Sequence, residues 1–138
     1  MALAVVGTLA SLAVPGYTLS GARAGRAEMR DSLSRLRAYF LTQYRVQGSY
    51  GADVSAEVNP PAGDPPPAPA QWDPHAPGWE HVPSLEGALP MRYWYGISEG
   101  GKQLILQARG NFPRVGPYVY SETFQDGALV LSTEVPAF

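Results

Sequence analysis

Residues 1–19, MALAVVGTLASLAVPGYTL, form an uncharged apolar run that breaks at Pro15-Gly16 and continues into a different pattern. From Ser20 to about Gln47 the apolar positions Met29, Leu33, Leu36, Phe40 and Tyr44 recur at spacings of four, three, four and four, which predicts one face of an amphipathic helix. Arg23, Arg26, Arg30 and Arg37 lie along a strip beside that face, Asp31 and Arg35 form an acid-before-base pair, and Gly48 supplies a stop. Read as one helix, Met1 to Gln47 would reach roughly 70 Å at ~1.5 Å per residue, more than a small domain needs for its own core.

The middle of the chain, residues 48–88, reads as a long irregular connection. Its stretch Asn59-Pro60-Pro61-Ala62-Gly63-Asp64-Pro65-Pro66-Pro67-Ala68-Pro69 lacks the backbone donors for a helix or central strand and favours extended polyproline geometry. Trp72 and Trp79 are expected to pin its far end onto the domain. Residues 89–138 alternate as strands. Met91, Tyr93 and Tyr95 lead through Ser98-Glu99-Gly100-Gly101 into Gln103–Ala108. After a loop over 110–117, Tyr118–Phe124 and Ala128–Val135 are joined around Asp126-Gly127. Four antiparallel strands with one apolar face need a cover, and the stripe from Met29 to Tyr44 is the long amphipathic element available. The expected fold is therefore α+β, a long N-terminal helix packed on a four-stranded antiparallel sheet, with residues 20–138 as one globular domain.

Composition constrains function only broadly. The chain has 138 residues, 45% of them hydrophobic, a net charge of −2 and no cysteine. There is room for one domain with a modest core. Bulk charge gives no reason to expect nucleic acid as the main partner, and no disulfide or thiolate chemistry is available. As a helix the first 19 residues would span roughly 28 Å, about the thickness of a bilayer hydrocarbon core. Two defects interrupt that helix: Pro15 removes a donor and crowds the Ser11 carbonyl, costing ~3 kcal/mol, and Gly7 costs roughly 1 kcal/mol relative to alanine. The segment between them is suited to local unwinding, with the hydroxyls of Thr8 and Ser11 placed to re-satisfy freed backbone groups.

The segment LAVVGTLASLAVPGYTLSGARAGRAEMRDSL resembles the N-terminal helix of type IV pilins and pseudopilins: an aliphatic stretch carrying a glycine, a small-residue run, a Pro-x-Tyr break and a small or basic continuation. The likeness covers about residues 3–40. It implies that Gly7, Pro15 and Tyr17 mark where the helix loosens on assembly, and that Leu3, Val5, Val6, Leu9, Leu12 and Val14 lie in the inner membrane first and in the filament core afterwards. It implies a bacterial filament subunit acting in adhesion, motility, secretion or DNA uptake. Its partners would be homo- or hetero-oligomeric pilin subunits, an assembly platform and a prepilin peptidase, and its end point an extracellular pilus or a periplasmic pseudopilus. Arg23, Arg26 and Arg30 are candidate contacts to acidic groups of neighbouring subunits, against the plainer reading of a solvated helix face. The family's basic leader, with its glycine-aromatic junction, would precede Met1, so the sequence reads as beginning inside the apolar stretch. The C-terminal disulfide loop of many pilins has no counterpart.

Other readings are a secretory signal peptide ending at Ala22-Arg23-Ala24, and a single-span anchor carrying a small periplasmic binding or adaptor domain. No catalytic residue, metal or cofactor is assigned. His75 and His81 near Asp73 and Glu80 fit no compact zinc spacing, and Asp53, Glu57 and Asp64 make no calcium loop. No nucleophile elbow or phosphate loop occurs. Nucleic acid is a remote alternative partner, carried by Arg92, Lys102, Arg109 and Arg114 with Tyr93, Trp94 and Tyr118.

Overall fold

The computed structural model describes the backbone of residues 2–61, 69–112 and 115–137, and within these the side chains from Arg23 onward. Helix α1 is Ala2–Gln47. It ends where Gly48 turns to a positive φ of 72° and its N–H donates to the Tyr44 carbonyl at 2.7 Å, an αL cap. Seven strands follow: β1 Val54–Ser55, β2 Ala70–Gln71, β3 Ala88–Leu89, β4 Arg92–Ser98, β5 Gln103–Phe112, β6 Gly116–Gln125 and β7 Ala128–Val135. Five of them form one antiparallel sheet in the order β1-β4-β5-β6-β7, and β2 pairs with β3 in a separate ladder.

This overturns the expected α+β fold of a long helix on a four-stranded sheet. The main sheet has five strands and a second sheet is present. About 40% of the residues described from Arg23 onward are strand, so the domain is mostly β. The fifth strand comes from the connection, where Val54 and Ser55 pair with Ile97 and Gly96. Asn59 adds an isolated bridge to Tyr93. The expected loop over 110–117 is largely ladder: Gly110 pairs with Tyr118, Asn111 with Pro117 and Phe112 with Gly116. The β4–β5 and β6–β7 turns use left-handed backbone, Glu99 and Gly100 at φ 58° and 68°, Asp126 and Gly127 at 53° and 88°.

The inner face of the sheet follows a period of two. On β5, Leu104, Leu106, Ala108 and Phe112 are buried and alternate with Gln103, Ile105, Gln107 and Arg109 on the other face. Met29, Leu33, Leu36 and Phe40 of α1 are all buried against this face. Gly25 permits the close approach, since a Cβ there would stand 2.7 Å from a Phe112 ring atom. The connection covers the flank of this core: Trp79 is fully buried, its ring 4.8 Å from Trp72 and 4.7 Å from Tyr95, and its indole N–H donates to the Glu57 carbonyl at 2.6 Å. Asn59, also fully buried, donates to the Asp73 carbonyl at 2.8 Å and accepts from the Asp73 N–H at 3.0 Å, tying the two ends of the proline-rich stretch together.

Leu33 lies at the centre of the helix–sheet contact. Leu33→Ala is expected to cost about 2–5 kcal/mol, whereas Val46→Ala, at a position 77% exposed, should change stability by no more than ~0.5 kcal/mol. Urea unfolding of the two variants measures the difference.

Candidate functional site

The polar contacts between helix and sheet are ionic. Glu122 on β6 points to the inner face and is buried, with its side chain 3% exposed. Arg37 donates from Nη2 to both of its oxygens, at 2.7 and 2.8 Å. About two and three turns toward the N-terminus, Arg30 and Arg26 stand 3.9 and 3.6 Å from the Glu134 carboxylate on edge strand β7. The Tyr118 hydroxyl donates to the same carboxylate, so Glu134 gathers two guanidinium groups and a phenol. Burial raises the Tyr118 pKa, and the hydrogen bond to Glu134 adds to it, so the phenol stays a donor. Asp31 and Arg35 pair on the exposed side of the helix at 3.4 Å.

The residues singled out in the sequence fall in three groups. Leu3, Val5, Val6, Gly7, Leu9, Leu12, Val14, Pro15 and Tyr17 lie outside the residues whose side chains are described. Among the described residues no helix is long and apolar enough to cross a membrane. Met29, Leu33, Leu36 and Phe40 come together in the core, and Tyr44 packs half-buried at its margin against Tyr50. Arg23 is exposed, whereas Arg26 and Arg30 reach a carboxylate of their own chain.

The residues considered for nucleic acid do not share one surface. Arg92, Tyr93 and Tyr118 are buried, and Lys102 sits by the opposite end of the β4–β5 hairpin, donating to the Gly48 carbonyl at 2.6 Å. Arg114 lies outside the described residues. Among the described residues no cluster of three His, Cys, Asp or Glu is close enough to hold a metal ion. Asp53 instead accepts from the N–H of Gly101 at 2.9 Å, fixing the β4–β5 turn, and Asp73 accepts from the His75 N–H at 2.9 Å.

Two features have no counterpart in the sequence reading. One is the edge of the sheet. Leu129, Val130, Leu131 and Val135 of β7 are 50–66% exposed, and the strand's one charge, Glu134, is turned inward to the arginines. An uncharged, apolar and unpaired edge lacks the devices that usually block strand addition. Alternation in ALVLSTEV signals the strand, but its edge position follows from topology. The other is a cleft of about 230 Å3 lined by Tyr39, Phe40, Tyr50 and Tyr95, with Glu80 and His81 beside them. The arrangement holds no paired acid and base around a nucleophile; it offers apolar surface and an ionic seam.

No known family, curated protein or solved structure matches this chain.

The Arg37–Glu122 pair should behave as a coupled unit. Arg37→Ala leaves a buried carboxylate without its counter-charge and is expected to cost about 3 kcal/mol; adding Glu122→Ala should return part of that loss, which a double-mutant cycle in urea reads directly. A second expectation concerns alkaline pH. Tyr93 and Tyr95 are pushed from 10.0 up to about 12, in both cases chiefly by burial. For Tyr93, nearby Ser32 offers some relief but makes no well-formed hydrogen bond to the phenol, and Glu28 and Asp31 add to the rise. Between those values the folded chain retains phenolic protons that the unfolded chain has released. Stability is therefore full below pH 10 and falls as pH rises toward 12. Thermal melts from pH 9 to pH 12 should show that decline, with a shallower slope in Tyr93→Phe.

Proposed function

We propose that this chain is a structural subunit, a major or minor pilin or a pseudopilin, of a type IV pilus-like filament. The observation that carries the reading is that a single helix, Ala2–Gln47, joins the uncharged apolar run to the stripe that closes the core. The helix residues known to be buried begin at Met29. The segment ahead of that stripe carries the likeness to pilins, Gly7, Pro15 and Tyr17 included.

The mechanism is assembly. The apolar half-helix waits in the inner membrane and then buries against equivalent helices of neighbouring subunits. The gain comes from packing and not from exclusion of water, because lipid tails are as apolar as the helix. A loosened stretch between Gly7 and Pro15 gives the helix slack to adjust to its neighbours. The exposed apolar edge of β7 supports the same reading, as surface available for contact between domains. Arg26 and Arg30 orient their charge toward Glu134, and Arg23 and Arg30 are the exposed members of the candidate set.

The intact chain should form helical filaments visible by negative-stain electron microscopy, and a chain lacking residues 1–22 should remain monomeric in sedimentation while still unfolding cooperatively, its helical circular dichroism reduced by the deleted part of α1. Filaments from the truncated chain would show that the helix is not the assembly element. An intact chain that stays a membrane-bound monomer would favour the anchored binding or adaptor domain.

A further inference from the structure

The outer face of the sheet differs in chemistry from the inner one and from the rest of the surface. Cross-strand register places Trp94 opposite Gln107, with Ser121 on the next strand beyond it, and Ile105 beside Thr123, on the face turned away from α1. Trp94 leans along its strand toward Gly96, the next outward position, and its indole N–H donates to Ser55 Oγ at 3.2 Å. Gly96 is what allows this pose: a Cβ there would lie 2.7 Å from Trp94 Cη2 and 2.9 Å from Cζ2. The indole is thus held from two sides, by a hydroxyl at its nitrogen and by a glycine beneath its six-membered ring. It remains partly exposed and borders a cleft of about 480 Å3 with Ile105 and Ser98, within the ~300–1,000 Å3 range of small-ligand sites.

The cleft is nearly free of charge. Asp53, the one ionisable residue on its lining, already accepts from the N–H groups of Gly101 and Gly100, at 2.9 and 3.4 Å. Beside the indole the lining sets the aliphatic side chains of Val54 and Ile105 among the hydroxyls of Ser55 and Ser98, with the Gln107 amide opposite Trp94 across the ladder; these polar groups both donate and accept. A ligand matched to this surface has an apolar flat face bordered by groups that also donate and accept, and has no net charge. A pyranose ring answers that description, with C–H bonds on its face and hydroxyls at its edge. A nucleotide answers it less well, because no cation lines the cleft and the nearest arginines on this face, Arg92 and Arg109, lie one outward position beyond Trp94 and Gln107 and are already engaged.

We infer that the outer face of the sheet around Trp94 is a binding site for neutral carbohydrate, with a pyranose ring stacked on the indole and its edge hydroxyls hydrogen-bonded to Gln107 and Ser98. The inference is independent of filament assembly, since the site lies on the face opposite α1. As part of a surface filament it would provide adhesion to glycans; on a lone domain it would provide the same binding.

The test uses the full chain and two neutral probes, cellohexaose and chitohexaose, followed by tryptophan fluorescence and saturation-transfer NMR. Trp72 and Trp79 are buried, so the sugar-sensitive signal should come from Trp94. Expected is saturable binding to at least one probe, insensitive to salt, and weakened about tenfold or more in Trp94→Ala, the scale of losing a stacked aromatic. Gly96→Val, which pushes the indole off its seat, should weaken binding while retaining the tryptophan, and Gln107→Ala should weaken it with the melting temperature unchanged. Binding to neither probe, or binding that persists unaltered in both Trp94→Ala and Gln107→Ala, would overturn the proposal. So would self-association lost in Trp94→Ala with no sugar bound, which would make the face a contact between copies.

Discussion

The buried Glu122 carboxylate is the constraint around which the helix–sheet contact is arranged. It stands on the inner face of β6, two residues from Phe124 and opposite Leu106 on β5, where a lone charge would be costly to bury. Only a cation delivered by the covering helix can meet it, and Arg37 does so with one nitrogen shared between both carboxylate oxygens. Apolar packing of Met29, Leu33, Leu36 and Phe40 sets which face of α1 turns inward, but such stripes tolerate sliding by a turn. The ion pair removes that freedom, because a shifted helix would bury the same carboxylate unpaired. Gly25 against Phe112 near one end and Gly48 held by Lys102 at the other are consistent with a single axial position.

The connection of residues 48–88 closes the core on the flank of the sheet. Its polar backbone is satisfied by specific groups: Asn59 bridges to Tyr93 in both directions, and the Trp79 indole satisfies the Glu57 carbonyl. The aromatic chain from Trp72 through Trp79 to Tyr95 and Phe40 then joins this connection to the helix by ring contacts of 4.7–4.8 Å. A proline-rich stretch can be long without loosening the domain when both of its ends are bonded to each other, as Asn59 and Asp73 are.

What could be read from residues alone was what is local. The stripe from Met29 to Phe40 follows from spacing, and Gly48 and Asp126-Gly127 announce themselves because few residues accept a positive φ. The fifth strand was illegible, since two residues, Val54 and Ser55, have no period to detect and pair with a strand some forty positions away. The ladder over 110–117 is hidden in the sequence for a related reason. Gly110, Gly116 and Pro117 read as breakers, yet β7 reaches only as far as Val119, so the missing N–H of Pro117 falls where no outer strand needs it. The arginine strip was visible, but its acids, Glu122 and Glu134, lie far away in sequence and were not recognised as its partners.

The two faces of the sheet therefore carry different obligations. Mutational tolerance on the inner face is limited by close packing and by one buried charge, whereas Gln107, Ser121 and Thr123 on the outer face owe nothing to α1. Trp94 is the exception there: its seat over Gly96 and its bond to Ser55 restrict a large side chain on a face that does not need it for closure. The helix divides its faces in the same sense. Among the described side chains of α1, those buried in the core run from Met29 to Phe40.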